Sequence, residues 1–198
     1  MKTFQDDARL LQMKEFYIAT FNVVNLEHLY TSTGAQHSDG FRDGSLGGVP
    51  YLEIYLKPVG RTVKPNSPSQ LQAALLCILY CVKLLHCLQY LHTDIRWGNI
   101  VEFQNLWILI DCYDFCKFDD SARRFATRRL RIKGAVTDSP WEVEDDLAQV
   151  LALVSDEAFR GHEYVSFRCL LTTSMITQVA SGEMAVDGLI ATIEHLVI

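Results

Sequence analysis

The chain has 198 residues, 49% of them hydrophobic and 21% charged, with a formal net charge of −6. That length supports one sizeable core in one or at most two domains. The acidic balance argues against a nucleic-acid binder, which carries a basic excess.

Residues 5–30 (QDDARLLQMKEFYIATFNVVNLEHLY) begin with helical periodicity and pass through a β-branched section around FNVV. The Gly/Ser/Asp-rich TSTGAQHSDGFRDGSLGG, 31–48, reads as a loop. PYLEIYL at 50–56 alternates like a strand and is closed by KPVGRTVKPNSP, whose Pro and Gly residues forbid regular continuation. Ser67, Pro68 and Ser69 then open a long helix over about 69–91, with Ser as cap and Pro in the first turn. Its LQAALLCILYCVKLLHCLQYL is apolar over most of its circumference but broken by Gln, Lys and His, so it predicts a buried helix and not a membrane span.

NIVEF (99–103) and LWILI (106–110) predict two short strands joined by a tight turn at Gln104–Asn105. Residues 116–140 are polar and basic, with Pro140 near the end, and read as a long irregular loop. Its RRFATRRLRIK cluster at 123–133 is what a solvated surface segment carries. DDLAQVLALV (145–154) predicts a helix, and 163–178 and 184–197 carry helical patterns separated by Ser181–Gly182. The class expected is α+β.

The six cysteines (Cys77, Cys81, Cys87, Cys112, Cys116 and Cys169) do not form a zinc pattern, since Cys112 and Cys116 lack a second close-spaced pair. MKTFQDDARL puts acids where a secretory signal has its charged and apolar regions. Reduced core thiols in an intracellular protein, cytoplasmic or nuclear, are the simplest expectation.

Residues 90–115, YLHTDIRWGNIVEFQNLWILIDCYDF, concentrate His, Asp, Arg and Asn beside runs of Leu, Ile and Val. Buried polar groups need partners, so such a concentration calls for a reason. A buried helix ending LLHCLQYLH, then His92-Thr93-Asp94-Ile95-Arg96-Trp97-Gly98-Asn99, a short hairpin, and Asp111 after the second strand resemble the catalytic segment of protein kinases, H-R-D-L-x-x-x-N followed by a metal-binding Asp. Downstream, WEVEDDLAQVL resembles the kinase helix whose buried Asp anchors that loop, which makes Asp146 the anchor. The wording HTDIRWGNI…WILIDCYD is similar to divergent fungal and oomycete kinase-like proteins, including those attached to crinkler-type effectors.

The resemblance implies a single kinase-like domain over 1–198, with 1–56 a remnant of the small lobe and hinge strand and 57–198 the helical lobe. It implies ATP and magnesium as cofactors. Asp94 would orient the acceptor hydroxyl, Arg96 would set a positive charge by the transferring phosphate, and Asn99 and Asp111 would hold magnesium. His92 would be structural. The hinge, about Glu53–Pro58, would bring Glu53, Tyr55 and Lys57 to the nucleotide. Taken singly, Asp94 and Arg96 also fit a plain surface ion pair, and Asp146 fits a helix-start charge favoured by the macrodipole.

Three features depart from the family. No G-x-G-x-x-G lies near the N-terminus; Gly44, Gly47 and Gly48 come just before the presumed hinge. No V-A-I-K-like strand is present and Lys2 reads as having no strand around it, while QDDARLLQMKEF resembles the following helix, with Glu15, or else Asp6 or Asp7, the candidate partner of the missing lysine. The metal-binding triplet is Asp111-Cys112-Tyr113, without the usual Gly.

Three functions follow. One is a divergent serine/threonine protein kinase, its activity weakened or lost by those departures. The second is a non-catalytic, truncated pseudokinase that binds a protein partner. The third is a small-molecule phosphotransferase, which predicts acidic substrate-binding residues; residues 155–198 offer only the dispersed Asp156, Glu157, Glu163, Glu183, Asp187 and Glu194. The basic 123–133 loop stands where an activation segment would, able to grip an acidic substrate or a phosphorylated Thr127 or Thr137. Neither nucleic acid nor membrane is an expected partner, and the oligomeric state is not legible.

Overall fold

The computed structural model describes residues 2–4, 7–30, 40–46, 49–118, 142–170 and 173–196. Helix α1 (Asp7–Ala19) ends where Thr20 Oγ1 turns back to donate to the Phe16 carbonyl at 2.8 Å. The β-branched section FNVV is a turn: Val23 is buried, and Asn25 takes a positive φ of 60°. The chain then enters β2 (His28–Leu29), which pairs antiparallel with β5 (Leu56–Lys57).

Two expectations about this region are overturned. Phe41–Leu46, inside the expected loop, is a strand, β3, paired antiparallel with β4 (Val49–Ile54) from Phe41↔Ile54 to Leu46↔Val49. Lys2–Phe4 is also a strand, β1, paired with the other side of β4 at Lys2↔Ile54. The order is β1-β4-β3, so both unpredicted strands are edges. An edge strand tolerates the charges and glycine that otherwise signal a loop: Arg42 and Asp43 are exposed, and Gly44 leaves room for the Tyr51 ring. β1 is too short to show a period.

Helix α2 (Pro68–Cys87) starts as predicted, with Ser67 Oγ accepting the Gln70 N–H at 3.3 Å and Pro68 in the first turn. It stops before the expected residue 91, because Gln89 takes φ 64° and Tyr90–Leu91 leave as β6. By length and apolarity alone α2 would pass for a membrane span. Here its Leu71, Leu75, Ile78, Leu79 and Val82 are buried in a core that runs from Phe16 and Leu52 to Phe159 and Ile193.

The predicted hairpin is β7 (Ile100–Phe103) and β8 (Leu106–Leu109), joined by Gln104 and Asn105 at φ 52° and 65°, the two positive values a tight hairpin turn requires. β6 pairs with β9 (Cys116–Lys117), so the first two residues of the expected loop are a short strand, and 119–141 lie outside the described residues. Helix α3 (Val143–Ala152) covers the predicted DDLAQVLA, and Leu153–Ser155 tighten into a 3₁₀ turn. The segment expected as one helix over 163–178 contains α4 (Val165–Leu170) and α5 (Thr173–Ala180); the last helix is α6 (Val186–Glu194). The class is α+β, as expected. The basic cluster 123–133, Thr127, Thr137 and Pro140 lie outside the described residues.

Candidate active site

The loop 92–99 is held from below by α3. Asp146, fully buried, accepts the backbone N–H groups of His92 (Oδ2) and Thr93 (Oδ1), both at 2.9 Å, and the His86 ring N–H at 3.1 Å. Burial works to raise its pKa, but the His86 hydrogen bond and charge and the His92 N–H outweigh it and hold the carboxyl below the ordinary range. Gln149, one turn on and 5% exposed, accepts the Ile95 N–H and donates to the Thr93 carbonyl at 2.9 Å. Trp97 Nε1 donates to the Leu153 carbonyl at 2.9 Å.

This anchoring supports a strained backbone. Thr93 has φ 68°, which a β-branched residue rarely adopts. Such a conformation costs of order 1–3 kcal/mol and persists where its surroundings over-determine it. Here the N–H bonds Asp146, the C=O bonds Gln149, and Oγ1 donates to the Asp114 carbonyl at 2.7 Å. The last bond ties this loop to the turn that follows Asp111.

His92 makes the second tie. Its Nε2 bonds the Ile110 carbonyl at 3.1 Å and its Nδ1 accepts the Asp94 N–H at 3.3 Å, the pattern of a neutral ring protonated on Nε2. Burial, opposed by the nearby Asp146 and Glu27 charges, pushes its pKa below the usual histidine value. The unfolded chain therefore takes up this proton first as pH falls below about 6.5, and the stability His92 contributes is full above that value and lost below it. Thermal midpoints are expected to drop between pH 7 and pH 5, and the drop to be shallower in His92→Gln. Equal slopes in the two proteins would contradict this assignment.

Asp94 emerges from this frame 15% exposed. Its Oδ2 accepts Asn99 Nδ2 at 2.8 Å, and the Arg96 Nε lies 3.0 Å from Oδ2 and 3.2 Å from Oδ1. Asn99, buried at 3%, donates its other Nδ2 proton to the Asp94 carbonyl at 2.9 Å, so its Oδ1 is the oxygen not committed to Asp94. The Asn99 carbonyl accepts the Ile110 N–H at 2.8 Å, which sets Asn99 beside the residue before Asp111. Asp94, Arg96 and Trp97 line a cavity of about 590 Å³, whose lining also includes Lys64 and Asp156, paired at 2.7 Å. Gly98 leaves space there for the Arg96 guanidinium: a Cβ would stand 3.1 Å from its terminal nitrogen.

The structure thus brings together His92, Asp94, Arg96, Asn99, Asp111 and Asp146. It does not bond Glu53, Tyr55 or Lys57 to that cluster. The Tyr55 hydroxyl donates to Glu53 at 2.9 Å, Arg42 lies 3.8 Å from the same carboxylate, and the Lys57 ammonium sits 5.9 Å above the Tyr30 ring. Glu15 pairs with Lys117 at 3.2 Å, half-exposed, on the outer side of α1. Sequence reasoning passed over three residues that join the elements: Gln149, Arg9 and Glu27. Arg9 donates to the Tyr113 and Phe115 carbonyls and lies 4.5 Å over the Phe115 ring, while Phe16 stacks on Phe115 at 4.2 Å. Glu27, buried at 5%, accepts the Cys112 N–H.

No family model matches the chain. Crinkler effector protein 8 of Phytophthora infestans is 40% identical to it over 65 residues, which is 32% of this chain and 11% of that protein. The chain therefore corresponds to a small part of that relative's length.

Proposed function

We propose that the chain is a divergent protein-kinase-like phosphotransferase acting inside a cell, moving the γ-phosphate of ATP to a Ser or Thr hydroxyl of a protein. The observation that carries this reading is one set of hydrogen bonds that joins Asp94 to Asn99 and ties Asn99 and His92 to Ile110, the residue before Asp111. The 40% identity over 65 residues with part of a crinkler effector agrees with the resemblance to crinkler-attached sequences.

The donor set fits magnesium, a hard cation that takes oxygen ligands and is usually held by one or two side chains plus phosphates and water. Asn99 Oδ1 and the Asp111 carboxylate would supply the protein oxygens. Bound there, the ion would neutralise charge on the nucleotide phosphates. Asp94 lies at the cavity edge, where its carboxylate accepts a hydrogen bond from an incoming hydroxyl and orients it. Arg96 keeps that carboxylate in place and adds a positive charge next to it. By the resemblance, Glu53, Tyr55 and Lys57 lie along the adenine side.

One observation favours a second reading, a non-catalytic module that binds a protein partner: Arg96 already spans both oxygens of Asp94. Thermal unfolding with and without ATP and magnesium separates the two. At 100 times its dissociation constant, a ligand of the folded state adds about 2.7 kcal/mol, or about 5–10 °C for a chain of this size. The expected result is a magnesium-dependent rise of that order, absent in Asp111→Ala. No rise at millimolar nucleotide would sink the phosphotransferase and leave the interaction module.

A further inference from the structure

Asp111 has φ 65° and ψ 51°, a left-handed conformation that Asp reaches more readily than most residues but that still costs energy beside a right-handed one. Two peptide planes set those angles. The plane before Asp111 is fixed at its carbonyl, where Ile110 accepts the His92 ring N–H at 3.1 Å. The plane after it is fixed at its N–H, where Cys112 donates to Glu27 Oε1 at 3.0 Å. The same oxygen accepts the Tyr17 hydroxyl at 2.8 Å.

Glu27 is itself located by the strand that leads into this turn. Its N–H donates to the Leu109 carbonyl and the Leu109 N–H donates to the Asn25 carbonyl, both at 2.8 Å, so residues 25–27 run alongside the end of β8. Asn25 is fastened in turn to α2, its Nδ2 donating to the Cys77 carbonyl at 3.2 Å. The carboxylate thus reaches Cys112 from a rigid base, and Tyr17 brings α1 to the same point.

We infer that Glu27 is a positioning residue for Asp111: with His92 it clamps the two peptide planes that flank Asp111 and so aims the Asp111 carboxylate. Burial, followed by the nearby Cys112 and the Glu27 charge, raises the Tyr17 pKa well above its ordinary value, so its phenol stays a donor at neutral pH. A charge-assisted bond from a buried N–H is about twice as strong as a neutral one, which suits a turn that must hold a non-glycine residue at positive φ.

The aiming of Asp111 matters for function only on the proposed reading of Asp111 as a metal-holding residue, and the test keeps the two apart. Amide hydrogen exchange is measured by NMR on the full chain at Cys112 and at Leu109, alongside the magnesium- and ATP-dependent thermal rise. In Glu27→Met the Cys112 amide is expected to exchange about tenfold or more faster relative to Leu109, the size of losing one strong hydrogen bond, and the thermal rise to disappear. Glu27→Gln retains an acceptor oxygen but not the charge, and is expected to speed Cys112 exchange by less than the Met variant does and to keep the thermal rise. Glu27→Asp, one methylene short of the N–H, covers the case in which the Met variant does not fold, and is expected to speed Cys112 selectively. Unchanged Cys112 exchange relative to Leu109 in the Met and Asp variants overturns the clamp. If the parent chain shows no metal-dependent rise, the metal reading of Asp111 falls, and the exchange ratio still decides the role of Glu27.

Discussion

Asp94→Asn is expected to lower the rate of phosphate transfer by about 10²–10⁴-fold, the range a positioned acid–base group contributes, while leaving the magnesium- and ATP-dependent thermal rise in place. The substitution keeps the size of the side chain and one acceptor oxygen, enough for the Asn99 amide that now bonds Oδ2 at 2.8 Å. What it removes is the charge that pairs with Arg96 and that, on the proposed function, accepts the acceptor hydroxyl's hydrogen bond. That pair is half in solvent, Arg96 being 55% exposed, and exposed pairs contribute about 0–1 kcal/mol. Stability should therefore move by no more than about 1 kcal/mol while turnover collapses. Single-turnover transfer from ATP to protein Ser/Thr acceptors measures it, with small-molecule hydroxyl acceptors run in parallel to distinguish the third function. Full activity in Asp94→Asn would reduce Asp94 and Arg96 to a surface ion pair.

The local signals in the chain translated directly into backbone. Ser67-Pro68 opens α2, and Gln104–Asn105 supply the two positive φ values that close the β7–β8 hairpin, because caps and tight turns are decided by the few residues that form them. The polar cluster at 92–111 was legible for a related reason, since Asp94, Arg96 and Asn99 are matched to one another within a few residues. Where the partner was distant, the signal thinned. Gln149 left a faint one: it lies three residues after Asp146, on the same helical face, and two polar residues on a face otherwise buried (Leu147, Val150 and Leu151 are close by) imply polar partners across from it. Glu27 left none, because a single acid in LEHL is indistinguishable from a surface charge until β8 is seen beside it. The strands β1 and β3 were hidden by position: at the edges of their sheet one side is open, and composition there follows solvent exposure and not pairing.

Asp146→Ala is expected to be the most destabilising single change among these site residues, by roughly 3–5 kcal/mol, out of the ~5–15 kcal/mol typical of a whole domain. The carboxylate is fully buried and accepts three hydrogen bonds, from the His92 and Thr93 backbones and the His86 ring. Removing it strands two N–H groups that have no water to turn to, His92 being 1% and Thr93 8% exposed, and each stranded donor costs about 1–3 kcal/mol. It also frees Thr93 from one of the three bonds that hold its positive φ, so the loop carrying Asp94 should relax as the helix loses its grip. Asp146→Asn is not expected to rescue the defect, since its NH₂ would face one of the same N–H donors. The pH dependence has a definite sign. Because the folded-state pKa lies below the ordinary carboxylate value, the contribution is whole above about pH 4 and is lost as pH falls through the folded pKa. Urea unfolding of the parent and both variants at pH 7 measures the loss, and a shift below about 1 kcal/mol would mean that Gln149 and Trp97 hold the loop without Asp146.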